Sequence, residues 1–303
     1  MCSININKLH HIGVCVSNIS KSLELYRDVL GFAAEDCIKS IGDKEDCQGQ
    51  GLPSILDFEY KSCFLNMPSG EKIELVEYIN PKAEEKDNKG LCGIGEFHIA
   101  FAVNDIDKWI ARVEDAGYAT IYKKLPYEGG SWVYFRDRDD VILEFIEEPG
   151  KRGNEDSIRF YHIGYTVTDI NKGIEFYSKC LGLKLVQDPI VTADEQEAIG
   201  MGYPEYPDLA CSTALLETQA GQTMELMLFE KPITIKSHAQ TPVNTIGKCH
   251  AAFEIDDLPG AAAEIGQQRE IEAIYRPLND GTAWWAYYKD FDDTIFELYS
   301  CGR

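Results

Sequence analysis

From residue 9 to 17 apolar positions alternate with small or polar ones and branched residues are frequent, a period of two that predicts a β-strand. Asn18 or Ser20 is placed to cap a following helix, whose apolar stripe is Leu23, Tyr26 and Leu30 and whose stop is Gly31. A charged, glycine-bearing stretch, residues 36–51, reads as a loop. Two further strand-like runs, 54–67 and 72–79, flank a Pro68-Ser69-Gly70 turn. Strand, helix and antiparallel ribbon make one βαβββ module, about residues 8–80.

The pattern returns three times, and internal repeats of this kind decide an architecture before any single motif does. His11-Ile12-Gly13-Val14 is echoed by His98-Ile99-Ala100-Phe101, His162-Ile163-Gly164-Tyr165 and His250-Ala251-Ala252-Phe253. Each histidine precedes an Asn or Asp by seven residues (Asn18, Asp105, Asp169, Asp257), and Ile or Leu follows. The second module, about 95–148, has a helix over 105–116 that stops at Gly117, then a hairpin of 132–136 and 141–146. The third, about 158–230, copies the first, with Leu181-Gly182-Leu183 standing where Leu30-Gly31-Phe32 stood. The fourth, about 248–300, copies the second, its helix weakened by Pro259, Gly260 and Gly266. Polar stretches at 80–90, 147–157 and 231–247 read as linkers. The middle one divides the chain into domains 1–149 and 157–303, and the fold class is α+β.

Each module closes on a strand with a glutamate in a matching place: Glu74, Glu144, Glu225 and Glu297. His11 to Glu74 and His162 to Glu225 are both 63 residues apart; His98 to Glu144 and His250 to Glu297 are 46 and 47. Strand parity puts each histidine on the face of small residues, such as Gly13, Ala100, Gly164 and Ala252, with large apolar residues opposite. Large residues then pack on helices, and the histidine face is left open as a cavity. Glu144 and Glu297 sit in strands that are apolar on both faces, where an ionised carboxylate needs a cation or firm hydrogen bonds. Imidazole plus carboxylate is a donor set for Zn, Ni, Co, Mn or Fe. A lone strand histidine is ordinarily a core or surface residue, but eight residues in register across four copies select metal ligation. His10 and His238 fall outside the register and read as ordinary.

Composition narrows the partners. The formal charge of −22 over 303 residues excludes nucleic acid, and no apolar run is long enough to span a membrane. The N-terminus lacks the pattern of a signal peptide, and ten cysteines are scattered without framework spacing, so a cytoplasmic location is expected. Segments 36–51 and 188–207 are the expected substrate covers. Glu45, Glu195 and Glu197 within them read as exposed charge, and the strand aromatics Trp132, Tyr134, Trp284, Trp285, Tyr287 and Tyr288 as core or interface.

The repeat resembles the vicinal oxygen chelate superfamily, which includes glyoxalase I, methylmalonyl-CoA epimerase, fosfomycin-resistance proteins and extradiol dioxygenases. The resemblance covers nearly the whole chain as two tandem domains, and implies half-open β-barrels around divalent metal ions. By position it implies one site of His11, Glu74, His98 and Glu144 and another of His162, Glu225, His250 and Glu297, two ions per chain. The ligand order is similar to bacterial glyoxalase I. It implies an isomerase or lyase, of glyoxalase or epimerase type, that moves a proton beside a metal-chelated carbonyl through an enediolate-like intermediate. Glu144 and Glu297, or their partners Glu74 and Glu225, are then the proton carriers, and the substrate a small molecule with vicinal oxygens. The Asn-Trp-Gly-type segment of glyoxalase I is absent after Glu74, as is a first-strand arginine to grip a glutathione carboxylate, which argues against glutathione. An iron-dependent extradiol dioxygenase and a small-molecule binding protein of the antibiotic-resistance type are the alternatives, and homo-oligomerisation is left open.

Overall fold

In the computed structural model the described residues are 4–53, 55, 57–85, 90–127, 129–148, 156–231, 239, 241–265 and 271–301. The expected linkers lie partly outside them, at 86–89, 149–155 and 232–238, and His238 lies outside altogether.

Each of the four modules contains a first strand, a helix and a closing antiparallel ribbon. Their first strands are Lys8–Cys15, Phe97–Val103, Ile158–Thr166 and Cys249–Glu254. Their glutamate-bearing strands are Lys72–Asn80, Ile142–Glu147, Thr223–Lys231 and Ile295–Cys301. The helices start where the sequence supplies a cap: Asn18, Asp105 and Asp169 each accept a backbone N–H of the first turn. The first helix, Ile19–Leu23, widens into a π-helical stretch, Glu24–Val29. The fourth, Leu258–Ile265, forms despite its proline and glycine. Pro259 falls in the first turn, where no intrahelical donor is lost, and Asp257 accepts from the Gly260 N–H at 3.0 Å.

Segment 36–51 is ordered rather than a simple loop. It holds a strand, Ile38–Gly42, and a short helix, Lys44–Gly49, held by a capping box in which Asp43 and Asp46 each accept the other's backbone N–H. The third module repeats this with Lys184–Thr192 and Glu195–Gly200.

The first strands pair across the halves of the chain. Lys8–Cys15 lies antiparallel to Cys249–Glu254, so modules one and four share a 10-stranded sheet. Ile158–Thr166 lies antiparallel to Phe97–Val103, so modules two and three share an 8-stranded sheet. Each sheet curls with the histidine face inward. The opposite face, including Ile12, Val14, Ile99, Phe101, Ile163 and Tyr165, is buried in one core with the helical residues Tyr26, Trp109, Phe176 and Tyr177. Consecutive modules meet at this seam. Tyr26 donates to Asp137 Oδ2 at 3.0 Å and Tyr177 to Asp290 Oδ2 at 2.8 Å, each from a helix to the turn of the next module. No helix among the described residues is long and apolar enough to cross a membrane.

Candidate metal centres

The sheet pairing decides which ligands meet. Across each seam between first strands, the residue two places after one histidine lies opposite the other histidine: Gly13 against His250 and Ala252 against His11 in one sheet, Gly164 against His98 and Ala100 against His162 in the other. The same small residues neighbour the glutamates, in the pairs Gly13–Glu74, Ala100–Glu144, Gly164–Glu225 and Ala252–Glu297. All eight expected side chains therefore converge in two groups of four.

The groups are not the ones expected from chain order. His11 Nε2 lies 3.4 Å from both Glu74 Oε2 and Glu297 Oε2, and His250 Nε2 lies 3.3 Å from Glu297 Oε2. His98 Nε2 lies 3.3 Å from Glu144 Oε2 and 3.5 Å from Glu225 Oε2, while His162 Nε2 is 3.4 and 3.5 Å from the same two oxygens. The first centre is thus His11, Glu74, His250 and Glu297, and the second His98, Glu144, His162 and Glu225. The pairings of His11 with His98 and of His162 with His250 are corrected: these strands belong to different sheets.

Backbone features make the room. A Cβ on Gly13 would lie 2.0 Å from His250 Cε1, and one on Gly164 would lie 2.1 Å from His98 Cε1, so each glycine is a cradle for an imidazole from the other half. A register shift between Leu9 and His11, and another between Phe160 and His162, inserts His10 and Tyr161 as extra residues beside a ligand.

The donors suit a cation. His11 Nε2 and Glu144 Oε2 are buried and without a hydrogen-bond partner. In the second centre the Nε2 atoms of His98 and His162 face each other at 2.8 Å, and both Nδ1 atoms are buried and unpartnered. At that distance either one ring nitrogen donates its hydrogen to the other, or both turn lone pairs to an ion shared with the carboxylates. Without an ion, protons take its place. Burial opposes a charge on His11, but the carboxylates of Glu297 and Glu74 outweigh it and push the imidazole up to about 9. Burial likewise opposes ionisation of Glu297, yet His11 and His250 pull it down to about 2. Glu144 is held below the usual carboxylate range in the same way by His162 and His98. Glu225 goes up to about 7, because burial and the charge of Glu144 outweigh His162.

Each centre opens into a pocket roofed by the expected cover segments. The first, ≈ 380 Å³, is lined by polar groups including Ser40, Gln50, Ser62, Asp280 and Thr282, with Ile38 at its edge. Lys72, the one lysine among the described residues lining it, is paired with Glu35 at 3.0 Å. The second, ≈ 110 Å³, is largely aromatic and apolar, with Trp132, Tyr134, Tyr161, Met201 and Met227, and no lysine or arginine among the described residues lines it. Glu45 is exposed and paired with Arg276, and Glu195 is exposed. Glu197 departs from its reading as exposed charge: it is half-buried in the second pocket's wall, and burial raises its carboxyl. Residues taken as core or as ordinary also reach the centres. Tyr287, opposite Glu297 on the neighbouring strand, brings its hydroxyl to 3.3 Å from His250 Nε2, and Tyr134 stands opposite Glu144 in the same way. His10 Nδ1 lies 2.9 Å from His11 Nδ1, and burial lowers the His10 imidazole to about 4. The hairpin position opposite Glu144 or Glu297 is the signal that finds the tyrosines; the bulge that turns His10 inward has no such signal.

A lactoylglutathione lyase of Arabidopsis thaliana is 26% identical over 199 residues, which is 64% of this chain and 62% of that protein, so the chain spans less than two thirds of that relative's length. Glyoxalase I from Zea mays superposes with a TM-score of 0.66 at 17% identity, over 97% of this chain and 92% of that one. A putative dioxygenase from Bacillus subtilis superposes equally well, with a TM-score of 0.65 at 16% identity, over 99% of this chain and 87% of that one. At these identities the structural matches speak for the fold and not for a reaction. The family model matches twice in tandem, over residues 8–145 and 159–274, and the chain belongs to the Glyoxalase/Bleomycin resistance protein/Dioxygenase superfamily.

Proposed function

We propose that each four-residue centre holds a divalent ion and that the protein is a metal-dependent isomerase or lyase acting on small carbonyl compounds with neighbouring oxygens. The observation that carries this reading is the second carboxylate: both centres bring two imidazoles and two glutamates together, within 3.3–3.5 Å in the closest pairs. When bound, the ion supplies Lewis-acid stabilisation of negative charge on two adjacent substrate oxygens. One carboxylate is then free to serve the substrate. All four glutamates line the pockets, and Glu74 and Glu225, with side chains 15% exposed against 7% for Glu144 and Glu297, are the more accessible of each pair. Glu225, lining the second pocket beside the two imidazoles, is placed to take a proton from one substrate carbon and return it to the next.

The pockets favour a compact, uncharged substrate over a glutathione adduct. No lysine or arginine among the described residues lines the second pocket, and the lysine of the first is already paired. Two glutamates also neutralise a divalent ion, so an anionic tripeptide meets no net attraction. The dioxygenase alternative asks for two histidines and one carboxylate with open positions, and a fourth ligand in both centres counts against it. The test is proton exchange. Metal-loaded protein in deuterium oxide is expected to introduce deuterium beside the carbonyl of a small hydroxy-ketone without oxygen uptake. Oxygen uptake with catechols and no exchange overturns the proposal in favour of ring cleavage.

A further inference from the structure

His10 stands outside the repeated register, yet its side chain is hydrogen-bonded to the outer nitrogen of a proposed ligand, His11. The bulge at Leu9–His11 inserts it beside His11, with the two Nδ1 atoms 2.9 Å apart. Its ring stacks on Tyr299 (centroids 4.1 Å apart, planes 16°), and both rings line the first pocket. The matching bulge of the second centre presents Tyr161, and there His162 Nδ1 has no partner. We infer that His10 is a positioning residue for His11 and a hydrogen-bond donor to an oxygen of whatever binds in the first pocket.

The inference rests on the metal reading of the first centre and follows from where hydrogens must sit. His11 turns Nε2 toward Glu74 and Glu297, so ligation uses Nε2 and leaves the ring's hydrogen on Nδ1. That hydrogen points at His10 Nδ1, which must therefore accept it. A neutral His10 that accepts through Nδ1 carries its own hydrogen on Nε2. One bond thus fixes the ring angle and tautomer of His11, as outer partners of metal-bound histidines do. It also gives the pocket wall a donor that cannot switch to acceptor. Such a donor selects carbonyl, hydroxyl or carboxylate oxygen and rejects groups that need an acceptor. The second pocket, with Tyr161 at the same place, lacks this relay.

The test uses the full chain, zinc and a competing chelator, together with nitrogen-15 spectra of the histidine rings. In zinc-loaded wild type, His10 is expected to carry its hydrogen on Nε2 and His11 on Nδ1. His10→Ala is expected to weaken one of the two bound zinc ions by about 10–100-fold, leaving the other unchanged as a report that the chain is folded. His10→Gln, whose side-chain oxygen can accept the same hydrogen, is expected to restore most of that loss. A His10 hydrogen on Nδ1 in the wild type overturns the inference on its own, whatever the variants do. Two unchanged zinc affinities in His10→Ala overturn it as well, as does a glutamine that restores nothing. A wild type that takes up no zinc removes the metal reading itself, and this inference with it.

Discussion

The two centres share a skeleton and differ in their walls. Both take two histidines from antiparallel first strands and two glutamates from the strands beside them. Both bulge one residue before a ligand, and both seat an imidazole over a glycine. Around the first stand His10, the Lys72–Glu35 pair and a wide polar pocket; around the second stand Tyr161, Trp132, Met201 and a pocket less than a third as large. Backbone geometry fixes the ligands, so duplication carries them over intact. The walls come from the hairpins and cover segments, which can change without disturbing that geometry. On the proposed metal reading, two sites of like build are thereby free to take different substrates.

The sharpest way to break the comparison is at the glycine cradles. Gly13→Ala places a methyl against His250, and Gly164→Ala places one against His98. The facing atoms are ligand rings, so accommodation means moving a ligand. Each variant is expected to lose one of two bound metals outright, by more than the ~100-fold that loss of an outer partner costs, with overpacking of about 1–3 kcal/mol. The paired controls separate the cross-half grouping from the grouping by chain order. Metal analysis of His11→Ala with His250→Ala is expected to find one ion per chain, and of His11→Ala with His98→Ala none. The reverse result restores grouping by halves.

That reversal shows what the sequence holds and what it omits. The eight converging side chains, the proposed ligands, are legible because their register repeats in four modules, and parity gives the face they share. Modules one and three carry glycine two places after the histidine, whereas modules two and four carry alanine. A glycine–alanine pairing is therefore readable, but Gly13 serves His98 or His250 equally well on that pattern. Proximity along the chain favours the first, because consecutive elements usually neighbour each other in space. The choice is made instead by the long-range ladder between Lys8–Cys15 and Cys249–Glu254, to which no local pattern points. His10 was misjudged for a related reason. Parity assigns it to the opposite face, and only the bulge, a property of two strands together, returns it to the pocket. The ordered segment 36–51 was within reach, since Asp43 and Asp46 spell the capping box.

A second, smaller test sharpens the difference between the centres through protons. A ligand that is protonated before metal arrives must release its proton, so affinity rises with pH up to that group's metal-free pKa and then levels. In the first centre the group is His11, at about 9; in the second it is Glu225, at about 7. Between pH 7 and 9 the first centre is expected to gain about tenfold in affinity per pH unit while the second stays flat. Chelator competition at several pH values measures both. Parallel curves would mean that the two proton inventories are alike and the contrast drawn here is false.

The smallest effects are expected where the two halves do not differ, at the seam between sheets. Tyr26 meets Asp137 and Tyr177 meets Asp290 in the same geometry, and each aspartate also accepts two backbone N–H groups of its own turn. Removing one hydroxyl, as Tyr26→Phe or Tyr177→Phe, leaves those backbone bonds in place and is expected to cost about 1.5 kcal/mol at either seam. Burial, assisted by Asp139 or Asp292, pushes both aspartates up to about 7 from their ordinary value of 3.8. A carboxyl raised on folding binds its proton more tightly in the native state. Its contribution is therefore complete below the unfolded value and is lost as pH rises toward about 7. Thermal midpoints of the metal-free protein should fall across that window, and Asp137→Asn or Asp290→Asn should each flatten part of the fall by a similar amount. A large inequality between the two would show that the seams, like the pockets, have diverged, and that the shared skeleton stops at the ligands.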